Sequence, residues 1–260
     1  MNETQLGARF TAAQAVARAA GAVALARFRD RDGLAVEHKG EQDVATAVDR
    51  EVEALIRARL LDSFPDDGFL GEESGGAPGA ETWVVDPIDG TACFVAGIPV
   101  WCVSIAFVVG RQVEIGVIYD PNADEMFAAR RGGGAWLDGT PLAPAPATSF
   151  ADGTLGVGYS LRRSAQTTLD LLATLLDAGG MFQRNGSGAL MLAYVAAGRL
   201  IGYFEAHINS WDCLAGLALV REAGGWTNDY LTDGALADGN PIAAAAPGLA
   251  AEMQTLTGLQ

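Results

Sequence analysis

Asp86 and Asp89 stand three residues apart in Trp83-Val84-Val85-Asp86-Pro87-Ile88-Asp89-Gly90-Thr91, directly after a short apolar run. A strand of this composition is expected to deliver Asp86 at its end. Pro87 then interrupts ladder pairing and Asp89-Gly90 turns the chain, so that two carboxylates converge. Such oxygens suit hard divalent cations, and magnesium takes few carboxylates and fills its other positions with water and phosphate. Two further acids stand in comparable settings. Gly71-Glu72-Glu73-Ser74 follows the apolar Phe69-Leu70, and Asp212 lies in Asn209-Ser210-Trp211-Asp212-Cys213-Leu214-Ala215-Gly216, where an apolar helical pattern begins. Taken singly, each has an ordinary explanation: a pair of turns, a solvated charge pair, or a Ser210 N-cap followed by a first-turn acid.

Composition narrows the chemistry further. The formal charge of −15 would repel nucleic acid and anionic membrane surfaces, so neither is expected as a partner. A small anionic substrate would meet the same repulsion unless bound cations offset it. Lys39 is the only lysine, and no phosphate-cradling Gly-x-x-x-x-Gly precedes it, which excludes a Walker-type nucleotide site. His38 and His207 are the only histidines, too few for a His-rich metal centre. Cys93, Cys102 and Cys213 are widely spaced, suggesting neither disulfides nor a zinc site and fitting a cytoplasmic protein. The Ala-rich Thr11–Phe28 stretch is interrupted by Arg18 and closed by Arg27, so it reads as an amphipathic helix rather than a signal peptide. No run reaches the roughly 18 uninterrupted apolar residues that a membrane span needs.

These acids need elements to position them. Helical spacing predicts helices over Gln5–Phe28 and Thr46–Leu61, the second stopped by Phe64-Pro65-Asp66-Asp67-Gly68. Short β-branched and aromatic runs then predict an antiparallel meander: Trp83–Val85, Trp101–Val109, Val113–Tyr119, Met126–Ala129 and Ala135–Leu137. Pro141–Pro146 reads as a connection. Beyond it, strands near Leu155–Tyr159, Leu200–Phe204 and Ile242–Ala246 alternate with helices over Ala165–Ala178, Ser187–Ala197 and Trp211–Ala223, before a C-terminal helix. Mixed elements in this order predict a layered α/β (α+β) sandwich, with an N-terminal half over 1–145, a C-terminal half over 146–260, and the site between them.

Gly-Glu-Glu, Asp-Pro-Ile-Asp-Gly-Thr and Trp-Asp-x-x-Ala-Gly, in this order and at these separations, resemble the inositol monophosphatase family, with a likeness running from Asp43 to Gly225. The resemblance implies alternating α-β-α-β-α layers shared with fructose-1,6-bisphosphatase, a homodimer, and magnesium-dependent hydrolysis of a small phosphorylated polyol, most simply an inositol monophosphate. It implies that Glu72, Asp86 and the Ile88 carbonyl hold one magnesium, that Asp86, Asp89 and Asp212 hold a second, and that a weaker third lies near Glu72, about two to three per site. Asp43-Val44-Ala45-Thr46-Ala47-Val48-Asp49 resembles an upstream family segment; by that match Asp49 and Thr91 orient the attacking water and help remove its proton. The amides of Gly90 and Thr91, if they open a helix, would receive phosphate oxygens. Gly186, Ser187, Gly188 and Glu205 fall on the family's substrate-binding stretch, Glu205 accepting hydrogen bonds from substrate hydroxyls.

Two departures bear on substrate choice. Ala92-Cys93 replaces the Thr-Asn that many relatives carry after the Asp-Gly-Thr turn, and Asn209-Ser210 replaces Lys-Pro or His-Cys before Trp-Asp. Gly97-Ile98-Pro99-Val100-Trp101 resembles a phrase of histidinol-phosphate phosphatases, whereas Val103-Ser104-Ile105-Ala106 leans toward inositol phosphates. Fructose 1,6-bisphosphate, a 3′-phosphonucleotide or a purely non-catalytic role in a larger assembly are the other readings. A haloacid-dehalogenase site would need the two aspartates as Asp-x-Asp with a lysine downstream, whereas Asp86 and Asp89 are three apart and no lysine follows them; a calcium loop would need an Asp-x-Asp-x-Asp-Gly series, which Asp86 does not start.

Overall fold

Ala13, Ala17, Ala20 and Ala24 recur at helical spacing, and all four are buried along one side of helix α1 (Glu3–Arg29). A second such run forms α2 (Ala47–Ser63), which buries Val48, Val52, Ile56 and Leu60. Between these helices Val36–Gly40 (β1) and Asp43–Thr46 (β2) pair as an antiparallel hairpin that the residue pattern had not announced. The structure is a computed structural model describing residues 2–30, 36–40, 43–76, 78–232 and 234–260. The side chains of 36–40 and 43–45, including His38, Lys39 and Asp43, lie outside the described residues.

The meander forms a seven-stranded sheet whose spatial order follows the chain: β3 (Gly68–Gly71), β4 (Glu81–Asp89), β5 (Cys102–Val109), β6 (Gln112–Asp120), β7 (Glu125–Arg130), β8 (Gly134–Leu137) and β9 (Thr140–Pro141). β3 runs parallel to β4; every later neighbour is antiparallel. A short helix, α3 (Thr91–Ala96), joins β4 to β5. Both faces of this sheet are covered, so its strands read as continuous apolar runs. Trp83 and Val85 join the cluster under α1 and α2, while Val84 between them joins the cluster on the opposite face, as a two-residue pleat requires.

The second sheet mixes directions. β10 (Thr154–Val157) leads through α4 (Ala165–Asp177) to β11 (Met181–Gln183), then through α5 (Gly188–Ala196) to β12 (Gly202–Ile208) and α6 (Ser210–Glu222). β13 (Trp226–Thr227), α7 (Ala235–Asp238), β14 (Asn240–Ala245) and α8 (Ala250–Thr257) complete the chain. The strand order is β11-β10-β12-β14-β13, with β10 parallel to both β11 and β12 and β14 antiparallel to its neighbours. α6 contacts β4 to β8 on one side and β13 and β14 on the other, and α5 lies beside it. α4 and α8 pack together outside the second sheet. The layers therefore run α1/α2, seven strands, α5/α6, five strands, α4/α8, which is the α-β-α-β-α sandwich the resemblance implies.

Candidate active site

Asp86 and Asp89 reach one spot because β4 is irregular between them. Asp86 pairs with Ser104 and Asp89 with Cys102, so three steps along β4 match two along β5 and one extra residue is inserted at Pro87-Ile88. In an even pleat, residues three apart face opposite sides; the extra residue returns Asp89 to the side of Asp86. Pro87 has no N–H to give a ladder, which suits it to such a bulge. The strand thus continues to Asp89 instead of ending at Asp86 as its composition predicts. The Ile88 amide donates to Asp86 Oδ1 at 2.9 Å and fixes the carboxylate over the bulge.

Asp212 arrives from the middle helical layer, in the first turn of α6. Asn209 caps this helix, and its backbone N and Nδ2 lie 3.3 and 3.2 Å from Asp212 Oδ2. One carboxylate oxygen from each of Asp86, Asp89 and Asp212 lies within 4.8 Å of the other two. Glu72 follows β3, where its amide donates to the Val85 carbonyl at 3.1 Å, and its charge acts on both Asp86 and Asp212. The loop after it is held by Glu53, whose two carboxylate oxygens each accept a backbone amide, from Glu73 and Ser74, at 2.8 Å.

Burial, followed by the charges of neighbouring acids, holds Asp86 and Asp212 well above the usual carboxylate range. Asp89 is pushed up to about 6 by burial, although several donors favour its ionised form. Ser187 Oγ donates to Asp89 Oδ2 at 2.5 Å and the Ala189 amide at 2.7 Å, with Cys102 Sγ at 3.8 Å. The start of α5 therefore clasps an acid of the other sheet. Ser187 also caps α5, accepting from the Leu190 amide at 3.2 Å.

Asp49 is completely buried, not an exposed helical acid. Thr46 Oγ1 and the Thr46 amide donate to its Oδ2 at 2.5 and 2.8 Å, and burial raises its pKa. Thr91 Oγ1 lies 3.1 Å from Asp49 Oδ1 and 2.9 Å from the Ile88 carbonyl oxygen, so its single hydrogen has two acceptors. Gly90, at φ 101°, opens α3; a Cβ there would stand 2.8 Å from the Val100 carbonyl oxygen, leaving glycine as the residue that fits.

Beside the acids lies a cavity of about 150 Å3 lined by Asp89, Asp212, Glu205, Tyr203, Arg184 and Tyr159, with Gly186, Ser187 and Gly188 at its edge. Burial pushes the Glu205 carboxyl up to about 7 against a hydrogen bond from Tyr203. The two departures from the family pattern have local roles. Cys93 Sγ donates to the Asn185 carbonyl at 3.4 Å, tying α3 to the loop before α5. Asn209, besides touching Asp212, accepts from Arg162 at 3.0 Å, and Ser210 Oγ donates to the Leu236 carbonyl at 2.7 Å. Glu53 and Arg184 were not singled out from the sequence, and Thr46 and Tyr203, which stand in the Asp43–Asp49 and Tyr203-Phe204-Glu205 stretches of the resemblance, were given no role of their own. For Thr46 a signal exists, since a threonine three residues before an acid at a helix start is a capping pattern.

The donor set is all oxygen and mutually repelling, with Asp86 and Asp89 buried and Asp212 half-buried, which fits hard divalent cations and leaves each acid better off with one bound. Among the described residues, no helix is long and apolar enough to cross a membrane.

A model of the family described as "Inositol monophosphatase family" matches residues 7–257. The "Nus factor SuhB" of Salmonella typhimurium is 39% identical over 243 residues, covering 89% of this chain and 91% of that protein. The "Inositol-1-monophosphatase" of Rhizobium meliloti is 40% identical over 210 residues, 78% of each chain. Among solved structures, the extragenic suppressor protein suhB from Bartonella henselae superposes with a TM-score of 0.86 at 32% identity, over 93% of this chain and 95% of that one. A Thermotoga maritima IMPase gives 0.83 at 29% identity, over 94% of both.

Proposed function

The chain belongs to the inositol monophosphatase family, and on that premise we propose that it hydrolyses an inositol monophosphate, or a closely similar phosphorylated polyol, with magnesium bound at the acid cluster. The observation that carries this reading is the meeting of Asp86, Asp89 and Asp212 within 4.8 Å of one another, with Asp89 and Asp212 lining a cavity that Glu205 also lines. Glu72, Asp86, the Ile88 carbonyl, Asp89 and Asp212 would hold the ions, about two to three of them. Bound there, magnesium would offset phosphate charge and acidify the attacking water.

The protein's own groups supply the rest. With its hydrogen given to Asp49, Thr91 Oγ1 offers a lone pair that orients the water, and Asp49 accepts the proton passed through that hydroxyl. Glu72 serves the same step as a ligand of the ions. The amides of Gly90 and Thr91 receive phosphate oxygens, while Glu205, with Gly186, Ser187 and Gly188 beside it, meets the hydroxyls of the leaving alcohol. The same reading includes a homodimer and a cytoplasmic setting; sedimentation at twice the monomer mass would support the first, and a monomer at micromolar concentration would remove it.

Phosphate release from inositol 1-phosphate, histidinol phosphate, fructose 1,6-bisphosphate and a 3′-phosphonucleotide, with and without magnesium, tests the proposal. Release is expected to be fastest from the inositol ester and to stop with chelator. Faster turnover of histidinol phosphate would move the chain to a sibling activity. A second reading, a factor that works chiefly by binding in an assembly, draws on relatives such as that of Salmonella typhimurium being called "Nus factor SuhB". Absence of magnesium-dependent release from every ester would favour it.

A further inference from the structure

Tyr203 and Glu205 stand two apart on β12, and Phe204 between them belongs to the outer cluster while Tyr203 belongs to the inner one. The pleat therefore turns both polar side chains toward the middle layer, into the cavity beside the acids. Tyr203 is buried, and its hydroxyl donates to Glu205 Oε2 at 2.5 Å. Three glycines make room for this pair. Gly156 is the register partner of Tyr203 on β10, and a Cβ there would stand 3.0 Å from the Tyr203 ring. A Cβ at Gly158 would lie 2.0 Å from Glu205 Oε2 and 2.6 Å from the Tyr203 hydroxyl. A Cβ at Gly188, the first residue of α5, would lie 3.3 Å from that hydroxyl and 2.8 Å from Ile208 Cδ1. Glu205 is half-buried on the cavity wall, and each of its carboxylate oxygens needs a donor from the protein, water or a ligand. Tyr203 satisfies Oε2 and leaves Oε1 for a donor that arrives with the ligand.

We propose that Tyr203 is the positioning residue for leaving-group recognition: it locks the Glu205 carboxylate so that one oxygen faces the hydroxyls of a polyol phosphate. The inference rests on the phosphatase reading and adds to it which residue makes Glu205 selective. An ester whose alcohol has no further hydroxyl gains nothing from the locked carboxylate.

The test compares inositol 1-phosphate with phenyl phosphate, which lacks hydroxyls, under saturating magnesium. Tyr203→Phe is expected to lower the ratio of kcat/KM for the inositol ester over the phenyl ester about tenfold, the order that one hydrogen bond to a charged group is worth. The change should fall on KM for the inositol ester more than on kcat. Gly158→Ala, which keeps the phenol but crowds both Glu205 Oε2 and the Tyr203 hydroxyl and so parts the pair, should lower the same ratio, and it serves as the second variant if Tyr203→Phe melts below assay temperature. In a Glu205→Ala background, Tyr203→Phe should change the ratio no further. Equal losses on both esters would show a general packing role and overturn the inference, as would an unaltered ratio. Wild-type protein that releases phosphate from neither ester would sink the underlying phosphatase reading, an outcome distinct from an active enzyme whose selectivity ignores Tyr203.

Discussion

At the scale of single residues, the acid cluster is a folded-state liability that a bound cation would remove. Asp89 is pushed up to about 6 by burial, and Asp86 and Asp212 are held higher than ordinary carboxylates. An unfolded aspartate titrates near 4. Between about pH 4 and 6 the folded, cation-free protein therefore holds a proton on Asp89 that the unfolded chain has released, so this group's contribution to stability falls as pH rises, and its penalty is complete above about 6. A divalent cation competes with those protons. Calorimetry in buffers of different ionisation enthalpy should show magnesium binding releasing more protons at pH 6 than at pH 9; equal release at both would contradict the coupling. Asp89→Asn tests the same residue differently. Its oxygen still accepts from Ser187 and Ala189, but one of the repelling charges is gone. Magnesium-dependent turnover should fall at least about 100-fold, while the chelator-treated protein at pH 8 should melt higher by about 2–4 °C. Wild-type turnover in this variant would remove Asp89 from the cation site.

Elements place these residues, and they do so through local irregularities. Gly90 sits at φ 101° between the bulged strand and α3, so Gly90→Ala should cost about 1–2 kcal/mol from backbone conformation alone. Contact with the Val100 carbonyl would add to that, and Thr91 would shift away from Asp49. Urea unfolding measures the first effect and turnover the second; a variant of unchanged stability would mean the turn tolerates a side chain. Ser187→Ala removes both the α5 cap and a donor to Asp89, and should cost about 1 kcal/mol of stability and roughly tenfold in magnesium affinity. Much of this architecture could be read from the sequence, because α1, α2 and α6 carry long apolar repeats and the meander carries β-branched runs. What escaped was short or long-range. β11 and β13 are three and two residues long, too brief for a period to show. The bulge depends on how β4 meets β5, which Pro87 hints at but cannot fix. Asp67 reads as part of a stop signal after α2, yet it accepts from Arg9 at 2.6 and 2.8 Å and from the Trp83 indole at 2.9 Å. The four acids were legible through their motifs, whereas the grip of Ser187 on Asp89 joins residues 98 positions apart, and nothing local in either stretch announces it.

For the molecule as a whole, the cluster is a joint between layers. Asp86 and Asp89 belong to the seven-stranded sheet, Asp212 to the middle helices, and Ser187 to the helix that borders the second sheet. In a chain of charge −15, bringing three acids together at that joint opposes the packing of α5 and α6 on β4. A cation held by acids of both layers would reverse the sign of that term and would bind only the assembled state. Mass action then predicts that one site filled to 100 times its dissociation constant adds about 2.7 kcal/mol, a rise of roughly 5–10 °C in Tm for a chain of this size. Sodium chloride at matched ionic strength screens distant charges but cannot bridge the layers, so it should reproduce only a small part of the rise. Hydrogen exchange should slow most at the starts of α5 and α6 and along β4 beside the bulge, where the layers meet. If monovalent salt raised Tm as much as magnesium, or if the added protection were spread evenly over the chain, the acids would be acting as general surface charge and the joint would not be a cation site.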